Sequence, residues 1–289
     1  STQAKTLFPY TTLFRSTRES VASNISTPAS LLEVLARDNE PWVRYLVAGN
    51  PSTPVPILEH LVKDRTTKQV IQGDRKVTEV TDLAVAVASN PATPPHTLEV
   101  LLKREDHDIL EAVAKNPATP VALLKRLVQR GNGAFLEAIA KNENTPPEIL
   151  GTLATPDGNY LFKKYLMGAI AEHPATPPAS IKLLAGHHER YVRASVAKNS
   201  VTPIAVLEML SKDAEKFVRG CVAENPSAPE SLLEDLANDR VTKWAVARNR
   251  ATPWHLLVAL AKDKAEDVRR GACWNLATLP SDTAFDFPD

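Results

Sequence analysis

The side chains with the most reactive chemistry are few and scattered. Cys221 and Cys273 sit in separate helical patterns, and no Cys-x-x-Cys pairs one thiol with another. Of seven histidines, His187 and His188 are adjacent, in what reads as a connection between helices. A metal site needs three or four ligands converging on one point, and the spacing supplies no third ligand. Glu111 and Glu137 occupy equivalent places in consecutive repeats, as surface carboxylates of a repeated unit do without any acid–base role. The chain contains no Gly-x-Gly-x-x-Gly string, no P-loop and no His-Glu-x-x-His. The expectation is a protein that is not an enzyme, with no catalytic, cofactor-binding or metal-ligating residues and no cofactor.

The side chains that do recur are charged. Sixteen residues after a recurring proline stand Arg44, Arg193, Arg219 and Arg269, with Lys243 in a repeat two residues short. Guanidinium groups in a row suit phosphate or carboxylate ligands. Ten residues after the same proline, however, stand Asp38, His187, Asp213, Asp263 and Asp239. Where the basic row breaks, at Leu110, Leu136 and Met167, the other position holds Arg104, Arg130 and Pro156, and in one further repeat Asp64 faces Ala84. Acid and base largely come and go together. That predicts structural pairs, Asp38 with Arg44, Asp213 with Arg219, Asp239 with Lys243 and Asp263 with Arg269, each joining the two helices of one repeat. Leu110, Leu136 and Met167 are then either an outward apolar patch for a partner or core.

A second row lies just before each repeat's asparagine: Lys115, Lys141, Glu172, Lys198, Glu224 and Arg248. Lys115, Lys141 and Lys198 are candidate partner contacts, or else solvated helix ends that suit the C-terminal dipole. Trp42, Trp244, Trp254 and Trp274 fall at unrelated repeat positions, so they predict no base-stacking row.

These positions are set by a repeat. Asn-Pro-x-Thr-Pro or a variant recurs from Asn24 to Asn275, mostly at 26-residue intervals, with His173 replacing one asparagine. A fixed period of this length marks a solenoid. In the copy at Pro203, Thr202 is a candidate N-cap and Pro203 a first helical residue. Leu207 and Leu210 recur at helical spacing, and a second helix carries Val218, Val222 and Ala223. It ends at Asn225, read as a left-handed cap, where Pro226 blocks continuation. Two insertions interrupt the period. Residues 68–80 alternate at period two around Gly73-Asp74 and predict a β-hairpin. On it Lys68, Arg75 and Lys76 are candidate partner contacts, or surface residues of a tolerated insertion. Residues 155–162 predict a longer loop whose aromatic residues pack on the core.

The string Val43-Arg44, Val47-Ala48, Asn50-Pro51, Thr53-Pro54, Leu58, Leu61, Asp64 resembles the leucine-rich repeat variant family, with HEAT-like repeats as wider relatives. The resemblance covers nearly all of 17–280. It implies an all-α fold, a right-handed α-solenoid of about ten two-helix repeats of α and short or 3₁₀ helices. Some members of that family carry an N-terminal cysteine cluster for an iron–sulfur centre, and no such cluster is present in this sequence.

Lys+Arg and Asp+Glu both number 34, a balance that argues against neutralising many phosphates. Two thiols in a long chain suggest a reducing, cytoplasmic compartment. No apolar run approaches the length of a membrane span. Residues 6–16 resemble the translation of a sequencing-library adapter, so 1–16 are expected to be a non-native leader and an upstream part to be missing. Residues 281–289 read as an acidic tail. The functional expectation is a scaffold binding a protein partner through the concave face of its second helices and its hairpin. The alternatives are a nucleic-acid-binding HEAT-like protein, such as an alkylated-base glycosylase, or a redox-associated module whose cluster domain is missing.

Overall fold

Proline and asparagine punctuate every repeat, and their backbone angles show how. Pro203 is extended (φ −59°, ψ 143°) and stands immediately before a helix, while Asn225 is extended (φ −68°, ψ 124°) and stands immediately after the next one. Proline is therefore the N-cap, not the first helical residue, and the asparagine is not a left-handed cap. The fixed φ of proline aims the chain into the helix, and the amide it lacks would have had no intrahelical partner. Thr202 does not cap that helix either. Its Oγ1 donates backward to the Val196 carbonyl (2.6 Å), satisfying an acceptor at the end of the preceding helix, and Thr27, Thr53, Thr119 and Thr252 repeat the bond on Val21, Val47, Val113 and Val246.

The computed structural model describes residues 14–72, 75–131, 133–155 and 163–278. The chain divides into two units, 1–145 and 146–289. In the first, the elements run α1 (Arg15–Ser23), α2 (Ala29–Leu35), α3 (Pro41–Gly49), α4 (Val55–Leu61), β1 (Arg65–Gln72), β2 (Arg75–Asp82), α5 (Leu83–Ser89), α6 (Pro95–Leu102), α7 (His107–Lys115), α8 (Val121–Gln129) and α9 (Gly133–Lys141). In the second they run α10 (Pro147–Leu153), α11 (Lys163–Glu172), α12 (Pro178–Ala185), α13 (Arg190–Lys198), α14 (Ile204–Leu210), α15 (Lys216–Glu224), α16 (Glu230–Asn238), α17 (Lys243–Arg248), α18 (Trp254–Leu260) and α19 (Glu266–Ala277).

The fold-class expectation needs correction. Among the described residues the helices are all α, with no 3₁₀ helix. Residues 65–72 and 75–82 pair antiparallel, with Arg65 opposite Asp82 and Gln72 opposite Arg75. The excursion is not limited to 68–80: it begins directly after Asp64 and runs straight into α5, where Asp82 caps the helix by accepting from the Ala84 amide (2.8 Å). The side chains of 65–81, and residues 156–162 and 279–289, lie outside the described residues, as do residues 1–13 of the expected leader.

Odd-numbered helices are the second helices of their repeats. Within each unit they stack on one another more closely than the first helices do. Alanine makes this possible: Ala194, Ala197, Ala223, Ala245 and Ala247 are buried and keep side-chain bulk out of the contact. The first helices contribute the large residues, Leu207, Leu210, Leu233 and Leu257 among them. Each such leucine contributes about 1.5–3 kcal/mol by leaving water. The asparagine that ends each second helix then ties one repeat to the one before. Asn225 Nδ2 donates to the carbonyls of Ala197 (2.6 Å) and Asn199 (2.9 Å), and its Oδ1 accepts the Ser227 amide (2.7 Å). Asn50, Asn90, Asn116 and Asn142 repeat the two donated bonds in the first unit, as do Asn199, Asn249 and Asn275 in the second.

Candidate functional site

The charged ladder is structural, and its pairing differs from the expected one. Arg193 Nε and Nη2 donate to Asp213 at 2.6 and 3.0 Å, while Nη1 donates to the backbone carbonyl of His187 (2.9 Å). Arg18 reaches Asp38, Arg44 reaches Asp64, Arg219 reaches Asp239 and Lys243 reaches Asp263 in the same way. Each of these bases thus joins the aspartate of the following repeat, not the acid position of its own. The in-repeat contact of Arg44, Arg219 and Arg269 is to the main-chain carbonyl of Asp38, Asp213 and Asp263. The physical reason lies in the aspartate. Its Oδ1 accepts the amide two residues on, Glu40, Glu215, Val241 or Ala265, which fixes the carboxylate so that Oδ2 meets the base of the preceding repeat, and in Asp38 and Asp213 Oδ1 also accepts from that arginine. His187 does the same work through Nδ1, accepting the Glu189 amide (3.1 Å), so this histidine is an aspartate substitute in the turn.

Leu110, Leu136 and Met167 are buried, so they are core and form no apolar patch; an apolar side chain fills the space where the ladder has no acid. Charge is reversed next to the strands, where Arg104, in the aspartate position, faces Asp82 at 3.4 Å and bonds the Val62 carbonyl. Lys115 and Lys141 are held by Glu111 (2.5 Å) and Glu137 (2.6 Å) one turn earlier on their own helices. Lys198 lies over the Phe217 ring, 5.8 Å from its centroid.

That last contact belongs to a feature that residue-by-residue scanning missed. In 146–278 every second helix exposes one aromatic side chain: Tyr165 on α11, Tyr191 on α13, Phe217 on α15, Trp244 on α17 and Trp274 on α19, between 39 and 58% exposed. Counted back from the asparagine, or for Tyr165 from His173 in its place, they stand at positions eight, eight, eight, five and one. Those offsets share one helix face, so the five form a single stripe that drifts along the helices. The expectation that the tryptophans are unrelated is corrected for Trp244 and Trp274, and for Trp42, which stands eight residues before Asn50. In the first unit, α3 alone among the described second helices bears an exposed aromatic ring, Trp42, which stacks on the half-buried Tyr45 at 4.9 Å. No tryptophan scan finds the stripe, because tyrosine and phenylalanine supply its first three members. Superimposing the repeats would have.

Within the stripe, Tyr191 and Phe217 meet edge to face, 6.1 Å between centroids. Immediately before the first three rings stand Lys164, Arg190 and Lys216, all exposed. Lys164 lies over Tyr165 (4.9 Å) and Arg190 over Tyr191 (5.0 Å), with Nη2 donating to the tyrosine hydroxyl at 3.1 Å. Acids lie among these cations. Glu215 is 3.7 Å from Arg190, and Glu172 accepts from Ser195 Oγ (2.8 Å). At the far end Arg248, Asp267, Arg270, Gly271 and Trp274 line an open depression of about 470 Å³. A side chain at Gly271 would begin 3.0 Å from Arg248 Cγ, so glycine here lets the arginine lie flat. Cys221, on the same helix as Phe217, is buried, and loss of solvation pushes its thiol up to about 11, which leaves it unreactive, whereas Cys273 is exposed.

Glu230, Glu234 and His255, on the first helices α16 and α18, bring ligand-type atoms within 4.8 Å of one another. All three are exposed. His96 with Glu59 (2.6 Å) makes a like pair in the first unit, so the grouping follows from the repeat. No helix among the described residues is long and apolar enough to cross a membrane.

No family model matches the chain, and no curated protein matches it. Among solved structures it is similar to "a leucine-rich repeat variant with a novel repetitive protein structural motif", 17% identical over 92% of this chain and 88% of that one, with a TM-score of 0.43. It is also similar to an engineered protein, 16% identical over 94% of this chain and 98% of that one, with a TM-score of 0.31.

Proposed function

We propose that this chain is a non-catalytic repeat scaffold, of the leucine-rich repeat variant kind that its repeat string resembles, and that it holds a protein partner on the second-helix face of 146–278. The observation that carries the reading is the stripe of one exposed aromatic residue on each of α11, α13, α15, α17 and α19. Exposed rings concentrated on one face, bordered by arginine, are the composition of interface hot spots rather than of ordinary surface. Stacked repeats supply a long surface whose side chains recur at fixed intervals, which suits an extended partner. Two free thiols, one of them exposed, fit a reducing cytoplasmic setting.

The test compares tagged full-length chain with a Tyr191→Ala/Phe217→Ala/Trp244→Ala variant in affinity capture from extract. A protein bound by the parent and lost by the variant, at unchanged helical content, is the expected outcome. Captured sets that do not differ would overturn it.

Single-stranded nucleic acid is the second reading, because it too uses rings interleaved with cations. A gel shift at about 50 mM salt that collapses as salt rises would favour it.

A further inference from the structure

The stripe also constrains what kind of chain lies on it, if it is the protein-docking face inferred above. Rings offered side by side, one per helix, accept proline faces and other flat apolar surfaces of an extended chain. The helices that carry them are packed neighbours, which lie about 8–10 Å apart. A polyproline II helix has three residues per turn and rises about 3.1 Å per residue, so one turn covers about 9 Å and matches one step from helix to helix.

Charge adds to this. Lys164, Arg190 and Lys216 come once per repeat, each next to its ring and each exposed. They occupy the first turns of α11, α13 and α15, where the positive end of the helix dipole disfavours a cation. Glu189 and Glu215, just ahead of α13 and α15, soften that penalty without removing it. In the first unit the corresponding places hold Arg15, Pro41, Thr81, His107 and Gly133, so a lysine or arginine stands there once, and Ser16, not a ring, follows it. A local rule broken on three consecutive second helices, each time directly beside an exposed ring, points to a ligand and not to stability. The Arg190–Glu215 pair at 3.7 Å is about half exposed on both sides, the kind of ion pair that exchanges partners at little cost.

We propose that this face binds an extended acidic polypeptide in the polyproline II conformation, one turn per helix, with prolines against Tyr165, Tyr191 and Phe217 and one carboxylate per turn against Lys164, Arg190 and Lys216. An acid at every third residue leaves neutral positions to pass Glu172, Glu215 and Glu224, which a phosphate at every nucleotide does not.

Fluorescence anisotropy of the full chain tests it, with fluorescein-labelled (Glu-Pro-Pro)5 as probe. The comparison probes are (Lys-Pro-Pro)5, the flexible (Glu-Gly-Gly)5, the out-of-step (Glu-Pro-Pro-Pro)4 and a 15-nucleotide oligothymidylate. Saturable binding of the first is expected, at least about fivefold tighter than each comparison probe. Tyr191→Ala/Phe217→Ala should weaken it by about tenfold or more, and so should Arg190→Glu/Lys216→Glu, with a marked loss at higher salt. All four residues are exposed, and a thermal melt of each variant checks that it folds. Absent binding, equal binding of the out-of-step peptide, or tighter binding of the oligonucleotide would overturn the proposal. If the peptide fails while affinity capture still loses its partner on Tyr191→Ala/Phe217→Ala/Trp244→Ala, the docking face stands and the acidic polyproline ligand falls. If capture is indifferent as well, both fall.

Discussion

Asparagine is the residue on which the array depends, through what its side chain donates and not through its backbone angle. Asn225 is buried and places three hydrogen bonds, two of them on main-chain carbonyls of the repeat before it. Asn225→Ala removes all three bonds from a buried position, with the Asn199 carbonyl left to its bond from the Thr202 amide, and should cost about 2–4 kcal/mol in urea unfolding. Asn225→Asp has the same shape, cannot donate, and should cost at least as much. Asn24 is exposed, and its side chain accepts the Ser26 amide (2.9 Å), so Asn24→Ala should change stability by less than about 1 kcal/mol. A loss at Asn225 no larger than at Asn24 would refute this account of the repeat. The sequence shows that asparagine recurs; it does not show what asparagine does, because the bonds reach back to Ala197 and Asn199, and backbone acceptors leave no mark in composition.

At the scale of elements, the arginine–aspartate ladder clamps second helices across the boundary between repeats. The sequence made the pairing of types legible, since acid and base vary together, but not its direction. Spacings of six and twenty residues are equally regular in a perfect repeat, and the Asx-type turn at Asp213, whose Oδ1 accepts the Glu215 amide, holds the carboxylate so that both its oxygens meet Arg193 twenty residues before it. The hydrogen bonds from Arg193 hold the Asp213 carboxyl below the usual carboxylate range, helped by the Glu215 amide and opposed by loss of solvation. A depressed pKa contributes stability that is fully present above the unfolded value, about 4, and is lost as pH falls through the folded one. Asp213→Asn should therefore lower stability at pH 7 by about 1 kcal/mol, given partial solvent screening. Its unfolding free energy should then fall less than the parent's between about pH 5 and pH 2.5. Parallel pH profiles for the two proteins would show that the clamp contributes nothing. The helices themselves were readable from the leucines and the Asn-Pro-x-Thr-Pro grammar. The aromatic stripe was not, because it is made of three residue types and drifts through three offsets of one helix face.

For the whole molecule, the regular ladder and the irregular stripe answer to different demands. The asparagine bonds recur in both units, while exposed rings on every second helix occur in 146–278 alone among the described residues, so the repeat sets the platform and its variation sets what the platform meets. A platform whose repeats touch mainly their neighbours is stable approximately as a sum of repeat and interface contributions. Damage should then spread a short distance and stop. Hydrogen exchange checks this with the same Asn225→Ala variant. Amides of α13, α15 and α17, whose repeats share the lost bonds, should exchange faster by factors on the order of 10 to 100, the size of a 1.4–2.7 kcal/mol local loss. Amides of α3, α5 and α7 should keep the parent rate. Uniform acceleration from α3 to α19 would mean that the chain opens only as one cooperative block, and the partner face would then be no more adaptable than a closed globular surface. Local acceleration would mean that the ringed repeats can adjust to a ligand without loosening the rest, which is the property that an extended partner held at several successive helices requires.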